Sequence, residues 1–180
     1  MIGHASAPYC SLMFRKMKGS YFYEEREIFV LPLKKLLCPT DFSEPSREAL
    51  KVAVEFTSHF GAQLSLVNVA PMLPVLPRDP NYAFKVPEYE QMLHADAEEC
   101  LNELVGKVTT PGTNIRTIVG RGDAASEIIR IAEKENVDVI VIATHGMTGW
   151  RRAVFGSVAE RVVRLAKCPV LTTRVSQAEP

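Results

Sequence analysis

The sequence predicts an α/β fold: one domain with an open, five-stranded parallel sheet covered by helices on both faces. Three observations predict it. From Lys34 onward, short apolar runs alternate with stretches whose apolar residues recur every three or four positions, the strand-helix alternation of parallel sheets. The run Val139-Ile-Val-Ile-Ala143 is apolar throughout, as a strand buried on both faces must be. A length of 180 residues suffices for one well-packed core and is short for two.

Residues 1–32 mix aromatics, charges and small polar residues without a sustained period, and Met13 and Met17 are alternative starts. They read as an extension outside the core. Tyr21, Phe22, Tyr23, Ile28, Phe29 and Val30 are costly to leave in water, so a docked arm and a disordered one both stand open. Residues 33–175 form the domain and 176–180 a tail. Lys35–Pro39 reads as the first strand, and Thr40-Asp41-Phe42-Ser43 as a turn whose Ser43 caps a helix. In that helix Ala49, Ala53, Phe56 and Phe60 recur at spacings of four, three and four before Gly61 stops it. Ala62–Val69 is the second strand.

Residues 70–87 carry Pro71, Pro74, Pro77, Pro80 and Pro87, which lack backbone donors, and read as a long surface loop. Tyr89, Leu93, Ala97, Cys100 and Leu104 mark the inward stripe of a second helix, with Glu90, Asp96, Glu98 and Glu99 on its wet side. Asn114–Val119 is the third strand. Asp123 caps a third helix that turns Ile128, Ile131 and Ala132 inward and ends near Asn136, and Val137–Ala143 is the fourth strand. In a fourth helix Val158, Val162 and Leu165 form one face and Glu160, Arg161, Arg164 and Lys167 the other, and Cys168–Val175 is the fifth strand.

Composition excludes several classes. Lys plus Arg and Asp plus Glu each number 21, so the formal net charge is zero and no global field recruits nucleic acid or an acidic membrane surface. No apolar stretch approaches the ~20 residues of a membrane span. Arg15, Lys16 and Lys18 are not followed by the apolar segment of a signal peptide. Cys10, Cys38, Cys100 and Cys168 form no C-x-x-C pair, and Cys38 and Cys168 lie in apolar runs typical of buried strands. The expectation is a cytoplasmic protein with neither nucleic-acid nor membrane partners.

The stretch from Val139 to Val158 is the most informative: a strand, a glycine-bearing loop and the opening of a helix. In an open sheet such a junction lines a crevice, and the helix N-terminus aims unpaired amides at anions. Gly146, Gly149 and Gly156 suit either a phosphate cradle or tight turns. No Gly-Lys-Ser/Thr follows, so it is not a Walker A loop, and Arg151 and Arg152 fit a solvated edge better than a phosphate clamp. Gly120-Arg-Gly122-Asp-Ala-Ala125 has dinucleotide-fingerprint spacing. However, Asp123 would set a carboxylate where pyrophosphate must sit, and Ile142-Ala143 offers no acid to hold a ribose. This segment reads as a turn and a cap.

Asp41 shares a rim with the glycine loop if strands one and four are adjacent. There it suits nucleoside hydroxyls or a metal's water shell, or serves its own turn. His4, His59, His94 and His145 lack metal-ligand spacing, and Ser157 lacks a G-x-S-x-G elbow. Glu98-Glu99 falls on a solvated helix face.

Three quotations resemble the universal stress protein family. They are Leu37-Cys-Pro39-Thr40-Asp41-Phe42-Ser43, then Val137-Asp138-Val-Ile-Val-Ile-Ala143-Thr144-His145-Gly146, and Gly156-Ser157-Val158-Ala159-Glu160 with Lys167-Cys168-Pro169-Val170-Leu171 after it. The resemblance spans Leu33 to Arg174. The family's nucleotide-binding branch carries Gly, two residues, Gly, nine residues, Gly, then Ser or Thr. Gly146, Gly156 and Ser157 match, and Ala143 departs at the first position by one methyl.

The resemblance implies a Rossmann-like sheet of order 3-2-1-4-5 and ATP, with Mg²⁺ or Mn²⁺ on its phosphates. It implies a triphosphate on the amides of Gly146, Gly156, Ser157 and Val158, and Asp41, Val69 and the Ala143 backbone around the adenosine. Pro39, Thr40, His145 and Gly149 complete the candidate set. It also implies a homodimer through the last strand, Pro169 to Val175, whose edge would otherwise expose unpaired amides. No residue in the loop is an obvious base for activating water and no arginine is placed as a finger. The favoured function is therefore a dimeric ATP-binding stress-response protein without rapid turnover. The alternatives are a slow ATP hydrolase using Asp41 or His145 at the same site, and a nucleotide-independent dimeric scaffold.

Overall fold

The computed structural model describes residues 33–72, 80–109, 112–144 and 156–174. Expectations for residues 1–32 and 176–180, and for Cys10 and Val175, lie outside the described residues. Five strands alternate with four helices: β1 (Lys35–Pro39), α1 (Glu44–Phe60), β2 (Gln63–Ala70), α2 (Pro80–Val108), β3 (Asn114–Arg121), α3 (Ala124–Glu135), β4 (Val139–Ala143), α4 (Ser157–Leu165) and β5 (Val170–Thr173). All strand pairs are parallel, in the order β3-β2-β1-β4-β5. Among the described residues no helix is long and apolar enough to cross a membrane.

The chain steps from β1 outward to β3, then crosses to β4 and steps outward to β5. Crossovers of one hand therefore place α1 and α2 on one face and α3 and α4 on the other. Strand alternation feeds both. Leu36, Cys38, Leu64, Leu66, Val141 and Ala143 pack with Leu50 of α1 and Leu101 and Leu104 of α2. Leu37, Val67, Ile140 and Ile142 pack with Ile128 and Ile131 of α3 and Val162 of α4.

The helix boundaries have local causes. Ser43 caps α1, its Oγ accepting from the Ser46 N–H at 3.4 Å, and Pro45 falls in the first turn, where a missing donor costs nothing. Gly61 closes α1 in the left-handed region at φ 63°. Asp123 and Asn136 bound α3 as its N-cap and C-cap.

Five expectations are corrected. Residues 80–87 are helical, not loop. Pro80 takes the first helical position, which suits proline, and Pro87 forfeits one ladder bond inside a helix of 29 residues. The inward stripe of α2 is Ala97, Leu101 and Leu104, while Tyr89 and Cys100 are exposed. At ~44 Å, α2 greatly outreaches the ~26 Å of β2. The helix is longer than the strand by about 18 Å, and Tyr89, near its start, lies exposed. On α4 the buried face is Ala159 and Val162, with Val158 and Leu165 exposed, and Phe60 at the end of α1 is exposed and stacked on Phe56. The last strand begins at Val170, leaving Cys168 outside it and only half-buried.

Candidate functional site

β1 and β4 lie side by side, with Leu36 opposite Val139 and Leu37 opposite Ile140, and the chain leaves them toward opposite faces. A crevice opens where the two chains part, at the carboxyl ends of the strands. It encloses about 310 Å³, at the small end of ligand sites. Its walls are the turn after β1 (Pro39, Thr40, Asp41), the end of β2 (Val67, Asn68, Val69), the starts of α3 and α4, and Ile142, Ala143 and Thr144.

The turn after β1 is braced at each residue. The Thr40 N–H donates to the Val67 carbonyl at 2.8 Å, carrying the ladder one step past β1. The Thr40 hydroxyl accepts from the Phe42 N–H at 3.0 Å and lies 2.9 Å from the Ser46 hydroxyl. Asn68 Nδ2 donates to the Thr40 carbonyl at 2.9 Å. These bonds hold Phe42 at φ 65°, a conformation that a bulky side chain resists. Asp41 Oδ1 accepts from the Ser43 N–H at 3.1 Å and the Ser43 hydroxyl at 2.5 Å, which orients the carboxylate.

The two helix starts differ. Asp123 caps α3 by accepting from the Ser126 N–H at 3.0 Å, and Arg161 of α4 donates to its other oxygen at 2.8 Å. Arg161, followed by Ser126, holds the Asp123 carboxyl well below the usual carboxylate range. α4 begins after Gly156 with no side-chain cap among the described residues, and a helix start of this kind presents amides that suit an anion. Gly156 has φ −71° and ψ 152°, a conformation open to any residue, and its N–H donates to the Thr144 carbonyl at 2.6 Å. Among the described lining residues there is no Lys or Arg. Among these residues, what attracts an anion is the backbone dipole at the helix start.

Of the candidate residues, the fold brings Pro39, Thr40, Asp41, Val69, Ala143, Gly156, Ser157 and Val158 to this one crevice. His145, Gly146 and Gly149, with Arg151 and Arg152, lie outside the described residues. The Ala143 methyl belongs to the cluster under α1 and α2, whereas Ile142 belongs to the one under α3 and α4. Asn68, Ser46, Thr144, Ile128 and Ile142 line the crevice and were not singled out from the sequence. Asn68 offered a signal: a poor strand former inside the apolar run of β2. Among the described residues no group of three or more His, Cys, Asp or Glu could hold a metal ion, and His59 and His94 are exposed.

Order 3-2-1-4-5 with a crevice at its switch point defines an open parallel α/β protein of the kind that binds ligands beyond its strand ends. A sequence profile of the universal stress protein family matches residues 32–174. Universal stress protein MJ0531 of Methanocaldococcus jannaschii is 34% identical over 148 residues, spanning 81% of this chain and 85% of that protein. The solved structure of MJ0577, from the same organism, aligns with a TM-score of 0.68 at 29% identity over 82% of this chain and 100% of its own. A universal stress protein solved in complex with cAMP shares the fold, with a TM-score of 0.56 at 20% identity over 81% of this chain and 99% of its own. The chain belongs to the universal stress protein family.

Proposed function

We propose that this protein is a cytoplasmic, homodimeric stress-response protein that binds ATP in the crevice without rapid turnover. Residues 33–175 are its working domain, 1–32 an extension and 176–180 a tail. The observation that carries the proposal is the uncapped start of α4 at Gly156-Ser157-Val158, which opens on the same crevice as Asp41 and Val69. Apolar Val67, Val69, Ile128 and Ile142 suit a base, the Asp41 carboxylate suits nucleoside hydroxyls, and the α4 amides with the Ser157 hydroxyl suit phosphates. Gly146 would add a further amide, and Pro39, Thr40, His145 and Gly149 complete the site. Ala143 packs its methyl into the core, which supports binding despite the departure at that position. A divalent ion, Mg²⁺ or Mn²⁺, would arrive on the phosphates and neutralise their charge.

The dimer would form through the last strand, Pro169 to Val175. β5 is an outer strand of the sheet, and Leu171 on it is exposed. An edge of this kind is a template for pairing, and a second copy would satisfy it.

The test is mass spectrometry of small molecules released from the purified protein, with calorimetric titration of ATP and Mg²⁺ into the wild type and Gly156→Val. The expected result is submillimolar binding by the wild type and loss in Gly156→Val, where a branched side chain fills the approach to the α4 amides. Wild type that binds no ATP at millimolar concentration refutes the proposal. Phosphate release that vanishes in Asp41→Ala while ATP affinity persists would make the protein a slow hydrolase instead.

A further inference from the structure

Asn68 is a half-buried amide in a strand that is otherwise apolar around it, and it reaches across 28 positions of sequence to the Thr40 carbonyl. A buried amide is costly unless it is hydrogen-bonded, and this one places its bond on the residue that precedes Asp41. Thr40 is bound on every side: its N–H to Val67, its hydroxyl to Ser46 and Phe42, and its carbonyl to Asn68. The next residues make the bend that carries Phe42 into the left-handed region, a conformation that persists only when its surroundings hold it. Without the Asn68 bond the Thr40 carbonyl loses its partner at the peptide that leads into Asp41, and the turn keeps the bonds of Val67, Ser46 and Ser43 to place the Asp41 carboxylate.

We propose that Asn68 is a positioning residue for nucleoside recognition: it locks the turn after β1 so that the Asp41 carboxylate is preset for the ribose hydroxyls of a bound nucleotide. This rests on the nucleotide proposal above. Pre-organisation of this kind raises affinity by removing an ordering cost at binding. Its effect must be confined to ligands that use Asp41, and that separates it from a general structural role.

The experiment compares ATP with 2′,3′-dideoxy-ATP, which lacks the hydroxyls, on wild type, Asn68→Ala and Ser46→Ala. The last variant loosens Thr40 from the α1 side. Asn68→Ala is expected to weaken ATP about tenfold and dideoxy-ATP by less than about threefold, collapsing the preference of the wild type. Ser46→Ala shifts the ratio in the same direction and decides the matter if Asn68→Ala does not fold. In ligand-free Asn68→Ala, amide exchange at Phe42 accelerates while that of β4 is unchanged. Equal weakening of both nucleotides, or an unchanged ratio, overturns the inference while leaving nucleotide binding intact. Failure of the wild type to bind either nucleotide overturns both proposals together.

Discussion

Leu101→Ala and Cys100→Ala are neighbouring substitutions on α2 for which the structure demands opposite outcomes. Leu101 is 0% exposed and packs in the cluster of Leu36, Leu64, Leu66 and Leu104 beneath α2, while Cys100 faces solvent. Leu→Ala removes three carbon groups, worth about 2.4 kcal/mol of transfer free energy at ~0.8 kcal/mol each. The unfilled space adds a cavity contribution, for a total of about 3–4 kcal/mol. Cys100→Ala is expected to stay within about 0.5 kcal/mol, as for an exposed residue without a special role. In urea unfolding, with a slope of about 2 kcal/mol per M, the Leu101→Ala midpoint falls by about 1.5 M or more and the Cys100→Ala midpoint barely moves. A Cys100→Ala loss equal to or larger than that of Leu101→Ala would return the helix to the stripe expected from sequence spacing and refute the packing described.

Three further outcomes are expected. In Gly120→Ala the new methyl carbon meets Glu127 Cγ at 2.7 Å and Ile131 Cδ1 at 3.3 Å. Thermal unfolding should show a loss of about 1–3 kcal/mol, partly recovered in Gly120→Ala with Glu127→Ala; an unchanged Tm contradicts the contact. Asp138 Oδ2 accepts from the backbone N–H groups of Lys34 and Lys35, each at 2.8 Å, so Asp138→Ala strands two donors beside the entry to β1. Denaturant titration should register about 1–3 kcal/mol, and a neutral effect would argue that water replaces the carboxylate without loss. Burial pushes the Cys38 thiol up from its ordinary value of 9.0 to about 12, so the folded chain keeps a proton that the unfolded chain gives up. Its stabilising contribution is intact below about pH 9 and declines as pH rises toward 12, by at most about 1.4 kcal/mol per pH unit. Cys38→Ala should show a shallower alkaline decline of stability, and an identical slope would discount Cys38 as the source.

Where chemistry is local, the sequence was legible. Ser43, Gly61, Asp123 and Asn136 act within one turn of themselves, and each bounds its helix as expected. In the segment Gly120 to Ala125 the cap is where it was expected, Asp123 satisfying α3 with its own carboxylate, while Gly120 and Arg121 still belong to β3 and the chain bends only at Gly122. The misjudged elements depended on what lay across from them. Spacing alone admits both Ala97-Cys100-Leu104 and Ala97-Leu101-Leu104 as stripes, and only the position of the sheet selects the second. Proline count suggested a loop through residue 87, yet a proline at a helix start costs little and one in the interior can be offset by packing downstream.

The candidate site divides in the same way. Sequence by itself determined the strand-helix order, the caps, the glycine and serine at the start of α4, and the carboxylate at the end of β1, since these follow from short-range stereochemistry and period. Only the tertiary structure decided that Asp41 and Ser157, 116 positions apart, share one crevice, because that requires β1 and β4 to pair at the switch point. It also decided that Asn68 braces the Asp41 turn and that the Ala143 methyl sits in the core. Those relations depend on which face of a strand a side chain leaves and which strand lies beside it, and neither is written in the neighbouring residues.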